Sequence, residues 1–295
     1  MKEKIIISIF YLVGSLPIFI IHKLGYLIGL WVWAYNGRTR QITETNIELC
    51  FPHKTPEFKQ QLIRNSLIQT AISALEICAT WIKPQSHFIN KIDTVEGEHL
   101  LVDAIKQDRG VLLLAPHLGN WEIVGNYITS HYDLTAMYKP HKMKALDQLI
   151  YKARSNERFK VVPTNNHGVI ALLRALKAKE IVAILPDQEP DLSGGMFAPL
   201  YGVQALSPVI VSRLINKTNA VAIGVYCLRL PHGRYKVVFH NADPLIYSNN
   251  PNESVKGLNL SVEQFINEAP EQYQWEYKRF SKRPDNEPNP YKSLP

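Results

Sequence analysis

Cysteines, long basic runs and low-complexity segments are scarce in this sequence, and each scarcity argues against a class of protein. The 295 residues contain only three cysteines, Cys50, Cys78 and Cys227, which are odd in number and far apart. This argues against a disulfide framework and a thiolate metal site, and we expect buried thiols in a reducing compartment. No five consecutive residues are Lys or Arg, and no zinc-finger spacing occurs. We therefore expect no nucleic-acid partner, no metal site and no cofactor.

The composition is that of a folded protein with a basic surface. Hydrophobic residues make up 46% and charged residues 20% of the chain, and the formal net charge is +7. Such values are typical of globular domains and not of disordered chains. The positive charge favours an acidic partner, either an anionic membrane surface or an acidic carrier protein.

The N-terminal 35 residues differ from an ordinary soluble domain. Ile5–Ile21 is an apolar run of 17 residues, which is the lower limit for spanning a bilayer, and a second apolar stretch covers Leu24–Tyr35. The second stretch carries aromatic residues suited to the membrane interface. Lysines precede the first run, but no signal-peptide cleavage site follows it. We interpret residues 1–35 as a membrane anchor, either spanning or lying in the plane; a buried hairpin of core helices is the structural alternative.

From Arg38 onward the pattern is that of a soluble α/β domain. Two helical segments end before Lys83, and short apolar strands then alternate with amphipathic helices, including a predicted helix over Ser207–Asn216. Several strands are apolar throughout, which predicts a mostly parallel sheet covered by helices on both faces. We expect one catalytic domain over residues 36–284 and an exposed, proline-rich tail over residues 285–295.

The candidate active site lies where the strand Val111–Ala115 runs into the sequence Pro-His117-Leu-Gly-Asn-Trp-Glu122. On one continuous helix, residues five apart point about 140° away from each other. The two side chains therefore meet only if His117 lies in the loop after the strand and Glu122 in the first helical turn. Ligands of open α/β sheets bind at this edge.

A carboxylate on one imidazole nitrogen fixes the tautomer and raises the basicity of the other. The pair His117–Glu122 is thus predicted to be a general base for an alcohol, with backbone N–H groups at the helix start available for an oxyanion. No Ser or Cys adjoins the pair as a nucleophile, so we expect direct transfer without a covalent intermediate. A single histidine in a loop is more often a solvated or structural residue than a base, and it is the position of His117 at the strand–helix junction that favours a catalytic role.

Several further blocks resemble the late acyltransferases of bacterial lipid A biosynthesis, the lauroyl/myristoyl family with its H-x-x-x-x-[DE] motif. The resemblance covers nearly the whole chain. It includes the N-terminal anchor, Asn46-Ile-Glu-Leu-Cys-Phe-Pro52, His117 to Glu122, Arg154-Ser-Asn156, Leu185-Pro-Asp187, Phe197-Ala-Pro-Leu-Tyr-Gly202, Ala269-Pro-Glu-Gln-Tyr-Gln-Trp275, Lys278-Arg279-Phe280 and Arg283-Pro284.

The resemblance implies an enzyme of the cell inner membrane with its catalytic domain on the cytoplasmic side. It implies transfer of a lauroyl- or myristoyl-type chain from acyl carrier protein to a 3-hydroxyacyl hydroxyl of a Kdo-containing lipid A precursor, with His117 as base and Glu122 as its partner. Substrate contacts are expected from Asn120, from Arg154 at a phosphate or oxyanion, from Asp187 as an orienting group for Arg154 or another site residue, and from Lys139 near Lys142 and Lys144.

Two alternatives remain open from the sequence. One is an acyl-CoA-dependent acyltransferase for another glycolipid or glycerolipid, since the His-x4-Glu spacing alone also admits such enzymes. The other is a catalytically silent lipid-binding scaffold with the same fold; the intact pair His117–Glu122 argues against it.

Overall fold

A seven-stranded, mostly parallel sheet forms the centre of the protein, as the alternation of strands and helices predicts. The computed structural model describes residues 2–292 and 294, except the side chains of Lys2 and Asn286. The strand order is β1-β9-β8-β2-β5-β3-β4, and all neighbouring pairs are parallel except β8 with β9. The strands are β1 (Ile92–Glu96), β2 (Val111–Leu114), β3 (Leu134–Tyr138), β4 (Phe159–Pro163), β5 (Ile181–Ile184), β8 (Val221–Leu230) and β9 (Arg234–Asn241).

Helices cover both faces of this sheet. Every residue of β2 is buried; Leu112 and Leu114 belong to one core cluster and Val111 and Leu113 to another on the opposite face. This two-sided burial explains the unbroken apolar run. The helices are α1 (Lys2–Ser15), α2 (Ile18–Tyr35), α3 (Arg38–Cys50), α4 (Pro56–Ile82), α5 (Gln85–Ile89), α6 (Glu98–Lys106), α7 (Trp121–His131), α8 (Lys144–Arg154), α9 (Asn166–Lys177), α10 (Ile210–Thr218) and α11 (Pro251–Glu268).

A separate antiparallel hairpin precedes α10. Its strands are β6 (Gly195–Leu200) and β7 (Val203–Pro208), and Tyr201 and Gly202 in the turn both have positive φ values, of 50° and 78°. Two consecutive positive φ angles suit the twist of a two-residue hairpin turn. The predicted helix over Ser207–Asn216 is therefore wrong at its start, because β7 continues to Pro208 and α10 begins only at Ile210.

The N-terminal segment is two helices docked along α4. Pro17 separates α1 from α2; it has no N–H and restricts the residue before it. Gly25 and Gly29 face the α4 backbone so closely that a Cβ on Gly29 would lie 2.4 Å from Cα of Ile68. The opposite side of α2 exposes large apolar residues, among them Phe19, Leu24, Leu27 and Trp31.

Among the described residues, α2 is the one helix long and apolar enough to cross a membrane, with 22% of its residues buried. A helix with one docked side and one exposed apolar side fits membrane association.

The C-terminal segment differs from the predicted exposed tail at Tyr291. This side chain is buried, and its hydroxyl group accepts a hydrogen bond from the Phe280 amide (3.1 Å) and donates one to the side-chain oxygen of Asn46. The aromatic ring therefore ties the end of the chain to α3. Composition alone does not reveal this contact, because prolines on either side also occur in solvated tails.

Replacing Gly29 with leucine tests the docking of α2 on α4. We expect Gly29→Leu to lower the free energy of unfolding by about 1–3 kcal/mol, because the new side chain overpacks the contact with Ile68. Ala34→Leu on the same helix is the matched control, since Ala34 is exposed. Denaturant unfolding in detergent gives both values, and equal stability of the two variants would contradict the docking.

Candidate active site

The site is built on the turn Pro116–Asn120, here called the His117 turn, which joins β2 to α7. Its backbone is held from two other parts of the chain: Gly119 N–H donates to the carbonyl of Gln272 (3.0 Å) and Asn120 N–H to that of Cys227 (2.7 Å). Gly119 has a φ of +64°, and a Cβ there would lie 2.0 Å from the Cys227 carbonyl oxygen. Only glycine fits this position.

His117 pairs with Asp187 at the carboxyl ends of two neighbouring strands. The Nδ1 atom of His117 lies 2.9 Å from Oδ1 of Asp187, and its backbone N–H donates to Oδ2, also at 2.9 Å. The contact follows from the topology, because β2 and β5 are adjacent and parallel. The predicted position of Asp187 at this edge is confirmed.

The pKa of the Asp187 carboxyl group is lowered in this arrangement. Burial raises the pKa of its carboxyl group, but the charge of His117 and the hydrogen bonds from its ring and backbone lower this pKa more strongly, so that the net shift is downward. A carboxylate only accepts hydrogen bonds, so Nδ1 of His117 carries a proton. The lone pair of a neutral ring is then on Nε2, and the Gln188 side-chain nitrogen lies 3.3 Å from this atom.

Glu122 contacts Arg154 and not His117, which corrects the predicted pairing. Its carboxylate accepts two hydrogen bonds from the guanidinium group, one of 3.0 Å from Nε and a second from a terminal nitrogen. The turn directs His117 toward β5, whereas the first turn of α7 directs Glu122 toward the end of α8. Sequence proximity therefore suggested the wrong carboxylate for the histidine. Of the two predicted possibilities for Asp187, Arg154 or another site residue, the structure shows the second, because Asp187 contacts His117.

The two other predicted substrate contacts lie in different surroundings. Asn120 is buried, and its side-chain nitrogen donates to Glu76 on α4 (2.9 Å), so the amide group faces the protein interior. Lys139 is exposed directly after β3. Among the described residues, neither side chain forms a hydrogen bond with His117.

Two cavities share Trp121 in their walls. The larger is apolar, encloses about 560 Å³ including a part open to solvent, and lies between α7 and β2–β5, with Glu122 and Arg154 at its polar border. The smaller is lined by His117 together with the polar residues Thr70, Ser73, Gln272, Gln274 and Glu276, among others. The Trp121 ring packs against the imidazole of His117, with 4.9 Å between ring centroids and 63° between ring planes.

Glu276 in the polar cavity was not predicted from the sequence. Thr70 donates to its carboxylate (2.9 Å), and burial raises the pKa of this group. Glu76 was also not predicted, although the sequence contains a signal for it. It is an acidic residue four positions after Ile72, within the apolar stripe of α4. A charge in such a stripe is buried only with partners.

Comparison with known proteins identifies the family. Residues 3–282 match the family described as "Bacterial lipid A biosynthesis acyltransferase". The chain belongs to this family. It is therefore an acyltransferase, which confirms the resemblance stated from the motifs.

The individual relatives are distant, and two of the three described here match over nearly the full length. The lipid A biosynthesis palmitoleoyltransferase of Escherichia coli (strain K12) is 26% identical over 97% of this chain and 92% of its own. The lauroyltransferase of the same strain is 25% identical over 97% and 93%. A phosphatidylinositol mannoside acyltransferase of Mycolicibacterium smegmatis is 22% identical over 66% of this chain and 64% of its own.

The block Ala269–Trp275, shared with the acyltransferase family by resemblance, has a visible structural role here. It supplies the Gln272 carbonyl to Gly119, and its Gln274 N–H donates to the His117 carbonyl (3.2 Å). Trp275 is buried, and its indole N–H donates to the Pro270 carbonyl (2.7 Å). The block thus holds the acyltransferase's His117 turn through backbone hydrogen bonds to Gly119 and His117.

The pairing of Glu122 with Arg154 can be measured by a double-mutant cycle. We expect Arg154→Met to lower the free energy of unfolding by about 1–3 kcal/mol, because it strips the nearly buried Glu122 carboxylate of its partner. Adding Glu122→Gln to Arg154→Met should recover part of this loss, since the unpaired charge is then removed. Lys152→Met, an exposed position on α8, is the control. Strictly additive effects of the two substitutions would contradict the pair.

Proposed function

We propose that this acyltransferase moves a lauroyl- or myristoyl-type chain from acyl carrier protein to a 3-hydroxyacyl hydroxyl of a Kdo-containing lipid A precursor. One observation carries the proposal: His117 is oriented through Nδ1 by the ionised Asp187 and lies beside a polar cavity that shares Trp121 with an apolar one. Such an arrangement offers a base next to separate places for a polar acceptor and an acyl chain.

In this mechanism the histidine carries a single proton from acceptor to leaving group. Nε2 of His117 removes the proton of the acceptor hydroxyl, and the alkoxide attacks the thioester carbonyl. The C–O bond of the ester forms, the C–S bond breaks, and the thiolate takes the proton from Nε2, which leaves free carrier. Asp187 stabilises the imidazolium during this exchange. No covalent acyl-enzyme is required.

The negative charge of the tetrahedral intermediate needs hydrogen-bond donors. The Trp121 and Glu122 backbone N–H groups lie in the first turn of α7, and within the described part of the chain neither has an acceptor. Free amides at a helix start favour an anion. We assign the binding of the oxyanion to these two N–H groups. The ion pair Glu122–Arg154 is assigned the role of fixing this helix start at the cavity border.

The apolar cavity is the proposed site of the acyl chain. Burying hydrocarbon gains about 0.8 kcal/mol per methylene, so a chain of the lauroyl or myristoyl class is bound largely by its length.

The exposed apolar side of α2 supports attachment to an anionic membrane, which we propose to be the cell inner membrane with the catalytic domain on its cytoplasmic side. Lys139, with Lys142 and Lys144, is the proposed contact for the acidic carrier protein.

A second candidate function has the same chemistry with acyl-CoA as donor and another glycolipid as acceptor. The match to a relative named phosphatidylinositol mannoside acyltransferase supports the glycolipid acceptor of this second candidate. Purified enzyme in detergent, given each donor with a Kdo-lipid A precursor or a glycolipid acceptor, separates the two. Ester formed only from acyl-CoA on the glycolipid would replace the first proposal, and no ester from any pair would reject both.

Substituting the base and its partner tests the mechanism. We expect His117→Ala and Asp187→Asn each to lower kcat by roughly 10²–10⁴-fold, the first by removing the base and the second by favouring the wrong tautomer. Folding should be retained in both, as judged by thermal unfolding. His167→Ala, an exposed histidine at the start of α9, serves as control. Turnover close to wild type in His117→Ala would refute the base assignment.

Narrowing the apolar cavity tests the acyl site. Ala136 lines this cavity from β3, and we expect Ala136→Leu to shift donor preference toward shorter chains, with a roughly 10-fold lower kcat/KM for the longest accepted donor. Ala178→Leu at an exposed position should leave the preference unchanged. The measurement is competition between carrier-protein thioesters of different length. An unchanged profile in Ala136→Leu would place the chain elsewhere.

A further inference from the structure

A buried carboxylate outside the proposed mechanism joins the N-terminal helices to the His117 turn. Glu76 on α4 has no exposed surface, and each of its oxygens has two partners. Oε1 lies 2.5 Å from Nε2 of His22 and accepts from the Tyr235 hydroxyl (2.8 Å). Oε2 accepts from the Asn120 side chain (2.9 Å) and from the Arg229 guanidinium (3.4 Å).

These four partners come from four different elements. His22 lies on α2, Asn120 at the start of α7, Arg229 on β8 and Tyr235 on β9. Burial raises the pKa of the Glu76 carboxyl group, but the charge of Arg229 and the hydrogen bond and charge of His22 lower this pKa by more. The net shift is therefore downward, which favours the charged form. A buried charge with all its acceptor positions occupied holds its donors in fixed places.

Asn120 is the partner that connects this cluster to the chemistry. It is the last residue of the His117 turn, and its backbone N–H also donates to Cys227. Its side-chain amide does not cap α7. Instead, this amide donates to Glu76 and thereby attaches the end of the turn to α4. His22 holds the other oxygen of the same carboxylate and comes from the helix whose outer side is exposed and apolar.

We propose that Glu76 and His22 are positioning residues for acyl transfer, which fix the His117 turn through Asn120 and make turnover depend on the docking of α2. The expected effect on turnover rests on the proposed function, whereas the expected effect on the His117 turn does not. His22, 95 positions before His117 in the chain, touches no reacting group and acts through Glu76.

Two substitutions of nearly equal size separate positioning from simple packing. We expect His22→Leu, which removes the donor, to lower kcat about 10-fold with an unchanged KM for the acyl donor, because a displaced turn misaligns the base. His22→Gln retains a donor and should keep most of the turnover. His99→Ala, an exposed histidine on α6, is the matched control. Turnover is expressed per folded enzyme, with folding checked by thermal unfolding.

A cycle with Asn120 tests whether the two residues act through one path. Asn120→Ala should lower kcat at least as much as His22→Leu, and the double variant should be no slower than Asn120→Ala alone. Wild-type kcat in folded His22→Leu, or effects that multiply in the double variant, would overturn the proposal. Glu76→Gln, with Glu57→Gln at an exposed position of α4 as control, gives the same comparison at the centre of the cluster.

Amide hydrogen exchange measures the turn without any substrate. The N–H groups of Gly119 and Asn120 are hydrogen-bonded to Gln272 and Cys227, and in His22→Leu they should exchange faster than in wild type while α9 exchanges at the same rate. Unchanged exchange at the turn would reject the positioning role. If wild-type enzyme fails to transfer an acyl group but this difference in exchange appears, the proposed function fails and the structural coupling stands.

Discussion

The backbone of the His117 turn is the constraint on which the site depends. Three segments far apart in sequence hold it: Asp187 binds the His117 amide, Cys227 binds that of Asn120, and the block Ala269–Trp275 bonds to both Gly119 and His117. A turn fixed at each end leaves the imidazole little freedom to move. This geometry requires glycine at position 119, because a side chain there would overlap the Cys227 carbonyl.

Two carboxylates divide the work that the sequence pattern assigns to one. Asp187 contacts the His117 ring, whereas Glu122 forms an ion pair with Arg154 at the start of α7. Both carboxylates are largely buried, and neither contact joins the two residues that are neighbours in the motif. His117 and Glu122 therefore have different partners at one strand–helix junction: Asp187 after β5 and Arg154 at the end of α8.

The N-terminal helices are part of the same packed body as the site. Glycines at positions 25 and 29 allow α2 to approach the α4 backbone, and this approach brings His22 within hydrogen-bonding distance of Glu76. The cluster around Glu76 then reaches Asn120. The exposed apolar side of α2 and the His117 turn are thus linked by one helix and one carboxylate.

The sequence by itself determined the alternating strands and helices, the position of His117 in a loop after a buried strand, and the family, because periodicity and local motifs encode these. Only the tertiary structure decided the partners: Asp187 for His117, Arg154 for Glu122, Glu76 for Asn120, and Asn46 for Tyr291. Each pair joins residues 32 to 245 positions apart. Such contacts follow from strand order and helix docking, which a local pattern does not specify.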